Sequence, residues 1–521
     1  MKIKTTNFQK FLKTVEKLGN ILPHPVTLFA ILCVIVLVVS QIADWFDLQV
    51  LDPRPEGAKN RAANGLIEAI GLITPKGIRL IFENLVTNYT SFAPLGTVLV
   101  TMLAVGVAEY SGMLTAFIRG LVLKAPNRLI TFTVVFAGIL SNTASELGYV
   151  VLIPLGGYVF MSKNRHPIAG MAAAFAGVSG GYSANLLIGT VDPLLSGITQ
   201  EAARLISPDY TTHAAINWYF MIVSTFLISM IGTYVTEKIV EPNLGEYQPE
   251  FSQNIDAKNA MAPLTSSEKK GLFFAGITIF ILGLIALITI LPSWGILRDP
   301  VTGDALRSPF MKGIVMWIFI FFFIPSIVYG KIVGTIKNDT DIIQGMTKAM
   351  SSMGLYMVLV FFAAQFIAFF NWSNLGTILA VSGANLMQSM EITGPGIFIP
   401  FILMCGFVNL MLGSASAQWA VTAPIFVPML MLVGYSPEVI QAAYRIGDST
   451  TNIITPMMSY FGLILAFAEN FDKRIKIGTI ISTMLPYSMM FIISWSVLFY
   501  VWIFVFGMPV GPDAPTYFSI K

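Results

Sequence analysis

The stretch YRIGDSTTNIITP, residues 444–456, sets an arginine, an aspartate, hydroxyl residues and an asparagine between two apolar runs, AQWAVTAPIFVPMLMLV and MMSYFGLILAFA. Arg445 and Asp448 stand three apart, on one face of a helix. Two readings of them are open. They neutralise one another as an intrahelical ion pair, since a charge inside a bilayer costs at least about 2.5 kcal/mol. Or Arg445 offers its planar fork to a substrate carboxylate, while Asp448 orients that substrate or carries a proton. Asp192, in GTVDPLL, also has two readings. It caps a helix ahead of Pro193, or it is a carboxylate that loads and releases a proton. Glu146 invites the same pair of readings, with the structural one favoured.

Such groups need an apolar frame with polar openings. The 521-residue chain is 55% hydrophobic and 11% charged, against about 25% charged in soluble domains, and its mean hydropathy is +0.74. Runs long enough to span a bilayer recur along its length, which makes it an all-α polytopic membrane protein with the lipid bilayer as solvent. The first, from Val26, is read as a retained span rather than a signal peptide. A net charge of +3 gives no sign of a nucleic-acid partner. Two lone cysteines, Cys33 and Cys405, make neither a disulfide framework nor a metal site. His24, His166 and His213 fall at span ends or in loops, and no G-x-S-x-G or H-E-x-x-H is present, so nothing suggests an enzyme.

The positive-inside rule puts residues 1–24 in the cytoplasm. Residues 25–92 give the first span and an external loop. Residues 93–238 contain a hairpin at 128–162, and 239–346 a cytoplasmic connector and further spans. Residues 347–507 contain a second hairpin at 395–433, and 508–521 form an external tail. The count is nine spans and two re-entrant hairpins. Ser141, Asn142 and Thr143 sit at the first hairpin tip and Ser414 at the second. Non-helical backbone at that depth is tolerated only when buried or lining a wet cavity.

The halves repeat. SNTASELGYVVLIP is followed by GYSANLLIGT, and GSASAQWAVTAPIFVP by GDSTTNIITP. Asn185 matches Asn452, and Ser145 matches Ser416. The first hairpin enters from inside and the second from outside, so this is an inverted-topology repeat with paired broken helices, which points to a midplane site in secondary transporters. Ser449 and Asn452 line the second break. Trp419, just past the second tip, either belongs to an interfacial belt or stacks on an aromatic substrate.

At these residues the chain resembles the AbgT family, the p-aminobenzoyl-glutamate transporters, and within it the MtrF-type antibiotic-efflux branch. The resemblance runs from LPHPVTLF through GILSNTASELGYVVLIPL, AAAFAGVSGGYSANL, GTVDPLL and GSASAQWAVTAPIFVPMLML to AAYRIGDSTTNIITPMMSYFGL and MPVGP. It implies a homodimer in a bacterial inner membrane, with an inner transport core and an outer dimerising scaffold. It implies substrates that are aromatic carboxylates or sulfonamides: p-aminobenzoate, p-aminobenzoyl-glutamate and sulfonamide antimetabolites. The site it carries over falls on Asp192, Ser416, Trp419, Pro437, Arg445, Asp448 and Pro456, with Asp192 coupling protons. The hairpin tips also resemble those of dicarboxylate/sodium symporters, which keeps sodium open as the coupling ion. The leading expectation is a proton-coupled exporter with no cofactor. The alternatives are an importer of p-aminobenzoyl-glutamate and a sodium-coupled carboxylate symporter.

Overall fold

The structure, a computed structural model, describes residues 24–54, 61, 64–144, 148–248, 250, 262–306, 308–458 and 460–519. Ser145 and Glu146, singled out above, lie outside the described residues, as do residues 1–23. Among the described residues, nine helical stretches are long and apolar enough to cross a bilayer. Two of these are the arms of the second hairpin, Pro395–Leu412 and Ala415–Val433; of the other seven, Pro75–Ser111 is two helices in succession and the rest are single spans.

The elements run as follows. α1 is Pro25–Trp45, and a short antiparallel pair, β1 (Gln49–Leu51) and β2 (Leu66–Glu68), follows it. α2 (Pro75–Thr90) lies where the sequence reading puts external loop. Its sequence, PKGIRLIFENLVTNYT, alternates charged and apolar residues and so escapes a search for continuous apolar runs. Thr74 starts it by accepting the Gly77 N–H, with Pro75 at the first position where its missing N–H costs nothing. α3 (Ala93–Ser111) and α4 (Met113–Leu123) lead to the first hairpin, whose arms are α5 (Ile130–Ser141) and α6 (Ile153–Ser162). α7 (Pro167–Phe175) begins the first broken span, and α8 (Val191–Ala203) resumes after it. α9 (Trp218–Val235), α10 (Ser266–Ile290), α11 (Ile314–Val333), α12 (Asp339–Ser352), α13 (Gly354–Trp372) and α14 (Leu375–Ser389) complete the middle of the chain. The second hairpin is α15 (Phe398–Leu412) and α16 (Ala415–Val433). The second broken span is α17 (Pro437–Thr451) and α18 (Phe461–Phe471), and α19 (Ile477–Tyr500) closes the fold.

Packing separates an inner bundle from an outer one. One large buried cluster joins the hairpins, the broken spans, α9 and α19, and extends to α1, α13 and α14. A small separate cluster, centred on Ala108, Met113, Ala275 and Tyr329, ties α3 and α4 to α10 and α11. α8 packs on both α16 and α3, bridging the two bundles.

Within the inner bundle each hairpin presses a glycine seam onto a broken span. A Cβ on Gly138 of α5 would lie 2.8 Å from the Val178 nitrogen and 2.9 Å from the Gly177 Cα. In the other half a Cβ on Gly447 of α17 would lie 2.7 Å from the Cys405 Cβ and 2.9 Å from the Gly406 nitrogen. Only the absence of a side chain lets these backbones come so close. The mirrored seams are the packing counterpart of the repeat read from sequence.

Candidate functional site

The two breaks are made differently. After Phe175 the first span widens into a π turn, Ala176–Gly180, and no helix forms again until Val191. The second span tightens into a 3-10 turn, Asn452–Ile454, after which Thr455 is extended (φ −96°, ψ 125°), as a residue before proline tends to be. Each opening frees backbone groups that side chains must satisfy. Thr143 Oγ1 donates to Asn185 Oδ1 at 2.9 Å. Asn409 of α15 is placed against the C-terminal end of α17. Its amide nitrogen lies 2.7 Å from the Asp448 carbonyl, 2.9 Å from Thr451 Oγ1 and 2.8 Å from Asn452 Oδ1. The two breaks touch directly: the Ser183 N–H donates to Ser449 Oγ at 3.1 Å.

The charges also join across the halves. Arg445 Nη2 lies 2.6 Å from Asp192 Oδ1, and the two side chains are 3% and 11% exposed. The same nitrogen donates to the Ser183 carbonyl at 3.1 Å. The other oxygen of Asp192 accepts the Gly189 N–H at 2.7 Å. Asp192 is therefore not the helix cap the sequence suggests: one of its oxygens closes a local turn and the other faces Arg445. It does so from inside the first turn of α8, whose cap position is Thr190. Arg445 thus turns to Asp192, across the break, and not to Asp448 on its own helix. Asp448 is fully buried, with the Tyr444 side chain and the Arg445 charge as its polar neighbours.

A cavity of about 270 Å³ opens where the two breaks meet, between the inner and outer bundles. Asn142 and Thr190 of the first half, and Ser414, Ser416 and Asn452 of the second, give it polar walls. Met102 of α3 and Met353 face them from the outer bundle. Two larger recesses, of about 620 and 1010 Å³, share Arg54 and Arg204 and contain none of the residues of either break.

The other expected residues are placed as follows. Ser141 Oγ donates to the Gly138 carbonyl at 2.6 Å and serves its own helix. Pro437 begins α17 beneath the Ser436 cap, away from the cavity. Pro456 is half-buried inside the second break. Trp419 is fully buried and faces Tyr444, with ring centroids 4.2 Å apart. Its indole N–H donates to Thr199 Oγ1 at 2.9 Å. Both its face and its polar edge are therefore occupied inside the protein. Sequence reasoning missed Asn409 and Ser183; a lone amide inside the apolar run GFVNLML was the available signal for the first. The buried chain Thr199, Gln441 and Asn217 left none, since its members come together only in space.

Apolar spans, two unwound helices and a polar cavity where they meet define a polytopic membrane protein of the secondary-transporter type. Known proteins agree. Residues 10–518 match the model of the AbgT putative transporter family. The chain is 37% identical over 499 residues to the p-aminobenzoyl-glutamate transport protein of Escherichia coli (strain K12), covering 96% of this chain and 95% of that one. Its fold superposes with a TM-score of 0.92 on MtrF of Neisseria gonorrhoeae, at 57% identity over 97% of this chain and 100% of that one; MtrF is described with a class of antimetabolite efflux pumps. It superposes with a TM-score of 0.86 on the YdaH transporter of Alcanivorax borkumensis, at 44% identity over 94% of this chain and 100% of that one. The chain belongs to the AbgT transporter family, and the resemblance read from its motifs is borne out. These relatives are transport proteins, not enzymes.

Proposed function

We propose that the protein is a proton-coupled secondary transporter of p-aminobenzoate-like compounds, including sulfonamide antimetabolites, and that it works as an exporter. The observation that carries this reading is the polar cavity enclosed by residues of both halves. Ser416, Asn142 and Asn452 give the cavity its polar wall; Arg445 does not line it, and takes the anionic or sulfonyl end of the substrate when its buried pair with Asp192 opens. Asp192 is the proton-coupling carboxylate. A single guanidinium cannot serve Asp192 and a substrate anion equally, so proton occupancy of one is linked to ligand occupancy of the other. The inner bundle moves against the outer one to alternate access. The protein works as a homodimer, with its N-terminus in the cytoplasm and its C-terminus outside. The likeness to MtrF supports the export direction.

The Arg445–Asp192 pair also admits import. If Asp192 takes up a proton when the substrate claims Arg445, proton and anion are bound together, which is co-transport. Proteoliposomes loaded with labelled p-aminobenzoate or a sulfonamide, with proton and sodium gradients varied independently, decide the matter. The expected result is flux that follows the pH gradient, leaves the substrate-loaded side against it, and ignores sodium. Flux that needs sodium and ignores pH overturns the coupling, and no flux of either compound overturns the substrate class.

A further inference from the structure

The proposed substrates share one feature that the polar residues above do not address, a flat aromatic ring. Trp419 is the residue whose position in the sequence suggests it as the ring's partner. The structure removes it from that role: it is fully buried, its face is covered by Tyr444, and its N–H is spent on Thr199. The aromatic surface of the cavity comes from elsewhere.

Tyr149 and Tyr460 both line the cavity. Tyr149 stands on the π turn Gly148–Leu152 beyond the tip of the first hairpin. Tyr460 stands just ahead of α18, beyond the second break. One comes from each half of the repeat. Their rings are nearly parallel, 9° apart, with centroids 4.7 Å from one another. A centroid distance this long between parallel rings means an offset stack, the arrangement that π-systems prefer over full overlap. Tyr149 is 6% exposed and Tyr460 half-buried, so the surface offered to a third ring is chiefly that of Tyr460, with Tyr149 stacked behind it. Around it stand Met102, Met353 and Met458, whose polarisable sulfurs favour aromatic neighbours. The polar residues Asn142, Ser416 and Asn452 line the same cavity, so a ring on the tyrosines has polar partners at hand. The volume of about 270 Å³ lies just below the roughly 300 Å³ at which pockets for drug-sized ligands begin. That suits a compound of a single ring.

We propose that Tyr149 and Tyr460 form the aromatic platform that holds the substrate's ring, and that Trp419 is a packing residue. The inference rests on the cavity being the substrate site, as proposed above. It makes ring recognition a joint property of the two halves, since neither tyrosine alone presents the stacked surface.

The test is equilibrium binding to the purified full-length protein with two ligands, p-aminobenzoate and its saturated analogue 4-aminocyclohexanecarboxylate. Both have the same polar ends, and only the first has a π face. Wild type should prefer p-aminobenzoate. Tyr149→Leu and Tyr460→Leu should each weaken p-aminobenzoate about tenfold, leave the saturated analogue nearly unaffected, and so collapse the preference. Tyr149→Phe and Tyr460→Phe keep the face and should stay within about threefold of wild type. Trp419→Phe should leave the ratio of the two affinities unaltered. If the leucine variants weaken both ligands equally, or bind p-aminobenzoate as wild type does, the platform is refuted. If wild type prefers p-aminobenzoate in this binding assay while only Trp419→Phe alters the ratio, the ring belongs to the tryptophan. Wild type that binds neither p-aminobenzoate nor a sulfonamide refutes the functional reading itself, and the platform with it.

Discussion

In the first half of the repeat the chain loses its helix by widening, through the π turn Ala176–Gly180 and the non-helical residues that follow. In the second it narrows, through the 3-10 turn Asn452–Ile454. The two breaks are also held unequally. Thr143 gives the first a single bond to Asn185 from its hairpin. The second has Asn409 beside three acceptors, and Thr455 Oγ1 donates to the Leu410 carbonyl at 2.8 Å. The glycine seams record the same difference. Matching Asn185 to Asn452 would pair Gly447 with Gly180, yet the residue pressed against the first hairpin is Gly177. Gly177 lies inside the π turn Ala176–Gly180, so the irregular stretch from there to Asn185 is where the two halves fall out of register. An approximate repeat in sequence thus becomes one tight break and one slack one, and the slack one carries Asp192.

The largest test of this contrast is the ion pair that joins the halves. Arg445→Ala leaves Asp192 buried and unpaired and should cost about 3–5 kcal/mol, read as a large fall in thermal unfolding temperature in detergent together with loss of flux. The reversed pair, Asp192→Arg with Arg445→Asp, should recover part of the stability and none of the flux. Stability unchanged in Arg445→Ala would mean that the halves are not held together through this contact.

A smaller effect sharpens the difference between the breaks. Asn409→Ala strips several partners at once and should destabilise by about 1–3 kcal/mol, against about 0.5–1.5 kcal/mol for Thr143→Ala. Cys405 is fully buried in the second hairpin, so its labelling by a thiol reagent in a Cys33→Ser background reports opening there. Labelling should accelerate in Asn409→Ala and hardly change in Thr143→Ala. Equal acceleration would show the two breaks to open as one unit.

The smallest effect lies outside the membrane, at the end of the second broken span. The Arg474 guanidinium donates to Asp472 and holds its carboxyl below the usual carboxylate range. A depressed carboxylate contributes stability that is present above its unfolded value and is lost as pH falls through its folded value. Arg474→Ala should therefore lower the unfolding temperature slightly near neutral pH, with the gap from wild type closing as the medium becomes acid. A gap that persists in acid would assign the effect to packing.

Much of the architecture was legible because it is local. An apolar run of about twenty residues says how long a span is, and a small-polar interruption says where it stops. The uninterrupted spans and the polar residues at both breaks could be read that way. α2 and α14 could not, since an amphipathic helix lying against other helices leaves no continuous apolar run. The mirrored motifs identified the family, because such long runs of matched residues recur only by descent.

By itself the sequence determined that the chain crosses a membrane, that two helices break in mirrored places, and that Arg445, Asp448 and Asp192 sit among apolar neighbours. Which of the two carboxylates Arg445 would choose was decided by tertiary structure. Spacing favours Asp448, one turn away, but a helical neighbour is only one of the partners that folding brings within reach. The same holds for Trp419, whose ring and N–H are claimed by Tyr444 and Thr199, and for Tyr149 and Tyr460, which nothing in the chain links until the breaks meet. Helix length and interruption depend on neighbours along the chain; partner choice depends on neighbours in space, and only the packed bundle supplies them.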